Sequence, residues 1–362
     1  MAKVNHNITQ NQYIYLLHSS MIGLGVLSIG GGVATTAHQS GWISVLLMGI
    51  YPIFLVLCSS YIDKKTGHIE YWEMSIKVYG KVLTYLFTFI FLIDFFLATV
   101  FALSGFTNVL LITITAYLPA KLVLFLLLLL SVFIAIDGLT YIGRLVELFF
   151  FLLVMLFLVP ITFYHSGNII NMEPFFDSFH GILSALPSCI YPYIGIEIVF
   201  FITPFIVNPT SIKKAGIYAC LFVIIVYTFV AFSVIYYAGW EAVSKMRLPL
   251  VFLLRTITIP IITDFKSIFV FLCGVIVFKM ASTLYFGASY CSMKIFHMEY
   301  KKTCILLIPA LYFIGKFFLI ESKRRVFVEK ASIYMAVFIT VWAIATITIV
   351  YFKCRGDKFE KN

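Results

Sequence analysis

The sequence predicts an all-α membrane protein of ten transmembrane helices, built as two five-span repeats of opposite orientation, with spans 1 and 6 discontinuous. Three observations carry this. Hydrophobic residues make up 62% of the 362 residues and charged residues 12%, against about 45–50% and about 25% in a soluble domain. Apolar runs of about 20 residues, the length that crosses the hydrocarbon of a bilayer, recur along the whole chain. Two of those runs are interrupted by glycine or proline at corresponding places in the two halves.

Taken in order, the spans fall at roughly 11–36, 41–62, 81–108, 121–137, 143–165, 183–206, 213–237, 266–296, 303–320 and 331–352. The opening "MAKVNHNITQNQ" is polar, with no apolar region followed by a small-residue cleavage site. No signal peptide is expected, and span 1 serves as its own insertion signal. The net charge of +10 comes from Lys and Arg in short loops. That placement reads as topology rather than nucleic-acid binding. Fifteen of the 26 Lys and Arg lie on the side of the termini and nine on the other, which predicts both termini in the cytoplasm.

The spans repeat with an offset of about 170–185 residues. Span 3 is long and follows the charged stretch "HIEYWEMSIKVYG". Span 8 is long and follows "AVSKMRLPLVFLLRTITIP". Five is odd, so the second half enters the membrane inverted. The chain 1–362 is expected to be one membrane domain, with repeats at about 11–165 and 183–352.

Paired broken spans point to a binding site. A break frees backbone N–H and C=O groups, which must face protein or a wet cavity. The start of a half-helix suits a carboxylate, and freed carbonyls suit an ammonium, so the two breaks fit a zwitterion such as an amino acid. In span 1 the break falls in "MIGLGVLSIGGGVATT". Gly23 and Gly25 leave room for backbone approach, whereas Gly30, Gly31 and Gly32 fit close helix packing. In span 6, "LPSCIYPYIGIEIVFFITPF" carries Pro192 and Gly195 with Glu197 just beyond. Glu197 reads as a proton carrier, a ligand for an ammonium or a cap on free N–H groups.

Two further charges lie in spans. Asp94 in span 3 and Lys279 in span 8 each stand thirteen residues after a basic start, Lys81 and Lys266. Each needs a partner or water. For Lys279 the candidates are Glu197 and Asp94. Ser282 and Thr283 either reach a ligand or bond their own helix. Arg144 and Glu147 read as a local pair.

No catalytic signature occurs. "IGLGVLSIGGGV" lies in a span, without the preceding strand a dinucleotide site needs. The seven cysteines show neither CxxC nor metal spacing. Neither enzyme activity, nor a metal, nor a cofactor is expected.

Three stretches resemble the B subunits of spore germinant receptors, the endospore germination permease family: "NITQNQYIYLLHSSMIGLGVLSIGGGVA", "ITPFIVNPTSIKKAG" and "GWEAVSKMRLPLVFLLRTI". The resemblance covers nearly the whole chain at the level of span pattern. It implies membership of the amino acid–polyamine–organocation superfamily and a LeuT-like fold. It implies germinant sensing in the spore inner membrane, with an A subunit and a C-subunit lipoprotein as partners and a nutrient, often an amino acid, as ligand. Carried onto this sequence, the site is Gly23, Leu24 and Gly25 in span 1 and Tyr193, Ile194 and Gly195 in span 6. Its walls are Val100 and Phe101 from span 3 and Ser282 and Thr283 from span 8. The alternative is a proton-coupled amino acid transporter using Glu197 or Lys279.

Overall fold

The computed structural model describes residues 6–152, 160–207, 209–256 and 265–354. Part of span 5, at 153–159, and part of the stretch before span 8, at 257–264, lie outside the described residues.

Helices fill nearly all of the described chain. Span 1 comprises α1 (Gln10–Met21) and α2 (Gly25–Ala37). Span 2 runs through α3 (Gly41–Met48) and α4 (Ile50–Thr66), and α5 (Tyr71–Tyr79) follows outside it. Span 3 is α6 (Lys81–Thr113), span 4 is α7 (Ala120–Ala135), and span 5 begins with α8 (Leu139–Leu148). Span 6 holds three short helices: α9 (Phe179–Ala185), α10 (Ile190–Tyr193) and α11 (Val199–Ile202). Span 7 is α12 (Ile212–Ala238), followed by α13 (Trp240–Lys245) and α14 (Pro249–Leu253). Spans 8, 9 and 10 are α15 (Phe265–Phe296), α16 (Tyr300–Phe317) and α17 (Glu321–Cys354).

Local chemistry sets these boundaries. Thr9 caps α1 through a capping box with Gln12, each side chain accepting from the other's backbone N–H. Spans 4 and 5 meet at a 112° bend across Ile136–Gly138, where Gly138 takes a left-handed φ of 93°. The chain thus reverses rather than continuing as one span. Leu122, Leu126, Leu129 and Phe133 on span 4, and Val337, Val341 and Ile344 on span 10, stand exposed. Exposed apolar stripes on the outer helices fit a hydrocarbon solvent.

Spans 3 and 8 pack along their length. Small residues allow this closeness: a Cβ at Gly274 would sit 2.7 Å from Phe106, and one at Gly287 2.8 Å from Phe95. Gly30 and Gly31 abut Val234, Val243 and the Met246 carbonyl, so part of the triple-glycine run seats α2 against the α13–α14 segment.

The end carrying the termini is tied shut. Ile8 N–H donates to Phe205 O at 3.0 Å, and Val207 N–H donates to Ile8 O at 2.9 Å. His6 lies among the rings of Phe205, Phe286 and Tyr300. This strap joins the start of the first repeat to the end of span 6. Lys294 pairs with Glu70 at 2.7 Å, linking span 8 to the base of α5.

Candidate functional site

Both breaks fall where glycine and proline interrupt the apolar runs. α1 ends when Ile22 turns extended, at φ −75° and ψ 108°. Span 6 bends by 55° where Ile194 is extended and Gly195 takes φ 105°. Only glycine adopts that conformation without strain.

The breaks meet in the middle of the protein. A Cβ on Gly25 would lie 2.7 Å from Pro192 Cα, and one on Gly195 would collide with the Ser20 carbonyl oxygen. A Cβ on Gly23 would collide with Met280 Sδ. These glycines allow spans 1, 6 and 8 to approach.

The freed backbone groups have specific partners. The Tyr227 hydroxyl of span 7 reaches Met21 O at 2.9 Å and Pro192 O at 3.1 Å, one from each break. Nothing in the sequence singled out Tyr227, which sits in an unbroken apolar span. Gly195 N–H donates to both carboxylate oxygens of Glu197, at 2.9 and 3.0 Å. Of the three roles open to Glu197, the cap is formed here.

Above the breaks, on the side away from the strap, lies a vestibule of about 720 Å³. Its wall includes Leu24, Ser28, Gly105, Asn108, Tyr191 and Pro192. Basic residues Lys245, Arg247, Arg324 and Arg325 outnumber the acidic Glu321 and Glu329 on its lining. Arg324 donates through Nε and Nη2 to Glu321 at 2.8 and 2.6 Å, and Asn108 Nδ2 donates to Glu321 at 2.8 Å. Gly105 makes room for this group: a Cβ there would sit 2.8 Å from Arg324 Nη1. Between spans 9 and 10 the sequence leaves 321–330 as a loop, whose Lys and Arg count among the nine on the side opposite the termini. Helix α17 starts at Glu321 and its first turns line the vestibule instead. The only sequence signal was Glu321 three residues before Arg324.

A second cavity of about 20 Å³ lies deeper, lined by Asp94, Phe101, Ile194 and Met280 among others. Tyr191 and Ser332 line both spaces. Of the residues expected at the site, Leu24 faces the vestibule, while Phe101 and Ile194 face the inner cavity. Val100 and Tyr193 are buried, and the Tyr193 hydroxyl donates to Val45 O at 3.1 Å. Ser282 and Thr283 bond Phe278 O and Lys279 O of their own helix, each at 2.9 Å.

The buried charges separate. Lys279 does not meet Glu197 or Asp94; its Nζ donates to Phe149 O, at 3.2 Å, at the end of α8. Asp94 lines the inner cavity, its Oδ2 without a hydrogen-bond partner among the described residues, and Glu197 stays on the Gly195 N–H. Arg144 and Glu147 do not pair: Arg144 lies over the Tyr141 ring, and Glu147 accepts from Gln12 Nε2 at 3.2 Å. No cluster of three or more metal-ligating side chains occurs among the described residues.

A family model described as "Spore germination protein" matches residues 7–326. Spore germination protein B2 of Bacillus subtilis (strain 168) is 26% identical over 218 residues, 59% of this chain and 59% of that relative. Spore germination protein YndE of the same organism is 23% identical over 365 residues, covering 99% of this chain and 100% of the relative. Among solved structures, the crystal structure of MhsT in complex with L-phenylalanine superposes with a TM-score of 0.68 at 13% identity, over 97% of both chains. That likeness shows the LeuT-type fold, ten helices in a 5+5 inverted repeat with helices 1 and 6 discontinuous. The chain is a multi-pass membrane protein and belongs to the spore germination protein family.

Proposed function

We propose, from this membership and from the meeting of the two breaks beneath a vestibule, that the protein senses a nutrient germinant and passes the change to partner subunits. The observation that carries the reading is the pair of abutting breaks at Gly25–Pro192 and Ser20–Gly195, which a scaffold without a ligand has no need to build. A family of spore germination proteins gives such a site a signalling role. The neighbour crystallised with L-phenylalanine supports an amino acid as the class of nutrient.

In this reading the ligand lies among Gly23, Leu24, Gly25, Val100, Phe101, Tyr193, Ile194, Gly195, Ser282 and Thr283, with Asp94, Glu197 and Lys279 as the charges that respond to it. The chain acts as one domain over 1–362, sits in the spore inner membrane with both termini cytoplasmic, and works with an A subunit and a C-subunit lipoprotein. The excess of Lys and Arg on the terminus side supports that orientation.

The test combines two measurements. Spores lacking the gene are exposed to a mixture of the standard L-amino acids, and labelled amino acids are offered to proteoliposomes of the purified chain. Lost germination without uptake fits a receptor. Uptake driven by a proton gradient, with germination unchanged, overturns it in favour of a proton-coupled transporter. Leu24→Trp adds bulk to the vestibule wall where Leu24 packs on Gly105 of span 3, and is expected to block the response; protein level measured alongside separates a blocked site from a packing fault.

A further inference from the structure

Arg324 stands where three spans meet. It comes from the first turn of span 10 and lines the vestibule. The room that a side chain at Gly105 of span 3 would take is filled by Leu24 Cδ1 and Arg324 Nη1, 2.6 and 2.8 Å from that Cβ position. Leu24 belongs to the break of span 1. Tyr191 and Pro192, from the break of span 6, line the same space. The guanidinium thus lies in the vestibule wall beside both breaks, its side chain only 12% exposed.

A guanidinium carries five N–H donors on a planar fork. Glu321 takes one edge of it, accepting from Nε at 2.8 Å and from Nη2 at 2.6 Å. Asn108 Nδ2 donates to the same carboxylate at 2.8 Å, which fixes the orientation of the fork. Glu321 leaves the Nη1–Nη2 edge over, and the spacing of that edge matches the two oxygens of a second carboxylate. One carboxylate already neutralises Arg324, so a second needs positive charge from elsewhere. Lys245, Arg247 and Arg325 line the vestibule with it, against Glu329 once Glu321 is committed. Arg325 Nη2 donates to Arg247 O at 3.3 Å, which ties the link between α13 and α14 to span 10. At such low exposure the charge of Arg324 is screened less than on an open surface. The other place suited to a carboxylate, the start of the second half of span 6, is filled by the chain itself, where Gly195 N–H donates to Glu197.

We propose that Arg324 is the carboxylate-reading residue of the vestibule: its Nη1–Nη2 edge takes a ligand's carboxylate bidentately while Glu321 and Asn108 hold the other edge. The ligand class this selects is a small molecule with a free carboxylate, held next to the break of span 1. An amide of the same skeleton offers one acceptor oxygen and no charge. That the carboxylate belongs to the nutrient rests on the reading above; the carboxylate site itself does not.

The test uses the purified full chain in nanodiscs of uncharged lipid, at ionic strength matched with sodium chloride. Sodium propionate should raise the melting temperature of the wild type, and propionamide and inorganic phosphate should not. Arg324→Lys keeps the charge and loses the fork, and should lose most of the propionate shift. Lys323→Gln, next in the chain but outside the vestibule lining, should keep it. Where Arg324→Lys does not fold, Gly105→Ala answers in its place, since its Cβ displaces Nη1 while the charge stays. A mixture of the standard L-amino acids should bind more tightly than the mixture of their C-terminal amides by about ten- to a hundredfold, the worth of a hydrogen bond to a charged group. An equal shift with propionamide or phosphate, or an unchanged propionate shift in the Arg324 or Gly105 variant, overturns the carboxylate site. Equal binding of acids and amides overturns it too, while the nutrient reading stands. If propionate acts through Arg324 and neither amino-acid mixture does, the site is upheld and the amino-acid reading falls.

Discussion

Asp94 and Lys279 each stand thirteen residues after the basic start of their span, Lys81 in span 3 and Lys266 in span 8, and the fold treats them in opposite ways. Asp94 lines the inner cavity beneath the break of span 6. Lys279, 1% exposed, donates to a backbone carbonyl where α8 ends. An inverted repeat fixes depth, but not the direction in which a side chain points around its helix. Spans 3 and 8 pack against each other, yet their charges point apart: one toward the broken helix of span 6, the other toward span 5 and His18 of span 1. A charge inside a membrane protein settles where free backbone or another ionisable group can receive it, and the broken elements decide where those are.

The change expected to do most harm strikes the break on which the Asp94 side depends. Gly195→Val places a β-branched residue at φ 105° and drives its Cβ into the Ser20 carbonyl. Backbone strain alone costs about 1–3 kcal/mol, before spans 1 and 6 are forced apart. Folded protein should be nearly absent by size-exclusion fluorescence of a tagged chain; wild-type levels would mean that the two breaks do not touch.

Next in size is Lys279→Ala, which removes a charged hydrogen bond worth about 1.5–3 kcal/mol and leaves a hole. Lys279→Met fills that space and should be markedly milder. The sharper question is coupling. Sites without a shared partner add within about 0.5 kcal/mol, so Lys279→Met combined with Asp94→Asn or Glu197→Gln should show additive melting shifts. If Glu197→Gln rescues Lys279→Met, the charges pair after all and the comparison collapses.

Glu197→Ala leaves Gly195 N–H buried without an acceptor, a loss of about 1–3 kcal/mol. Glu197→Gln keeps an oxygen there and should cost clearly less. Equal melting temperatures for the two variants would remove the cap.

The smallest effect belongs to a control at the strap. Burial holds the His6 imidazole down to about 4, the nearby Glu70 opposing the shift. A base whose folded value is depressed gives stability that is present above pH 6.5 and lost as pH falls through the window toward 4. Protease cleavage of the N-terminal segment should therefore speed up on acidification, and His6→Phe should flatten that dependence. Asp94→Asn should leave it unchanged. If His6→Phe cleaves with the wild-type pH profile, some other group sets it.

Much of this arrangement was legible in the residues. Gly23, Gly25, Pro192 and Gly195 marked both breaks because backbone that leaves helical geometry inside a membrane needs glycine or proline to do so. The role of Glu197 was not settled by the sequence, since a carboxylate two residues past a break can carry a proton, hold an ammonium or cap free N–H groups; the cap is the one formed. The partner of Lys279 was not legible, because a backbone carbonyl leaves no trace in side-chain chemistry. Tyr227 escaped notice because one hydroxyl in an apolar helix looks like any membrane tyrosine. The helical start at Glu321 was not legible because a basic run reads as loop, whereas here Glu321 and Arg324 turn toward the vestibule and the helix begins earlier. The walls Ser282 and Thr283 illustrate a different limit: a hydroxyl in a helix points to a ligand or back to its own carbonyl with equal ease, and here it points back.

The strap at the terminus end, two backbone bonds through Ile8 and an aromatic nest around His6, has a thermodynamic meaning. Opening that end would cost those contacts, which weights the molecule toward the facing in which they form. A carrier must visit both facings in every cycle, and such a bias would throttle its turnover. A detector loses nothing by it. It can dwell facing one way, as a dormant cell requires, and let the arrival of a ligand register as a shift in occupancy instead of a flux.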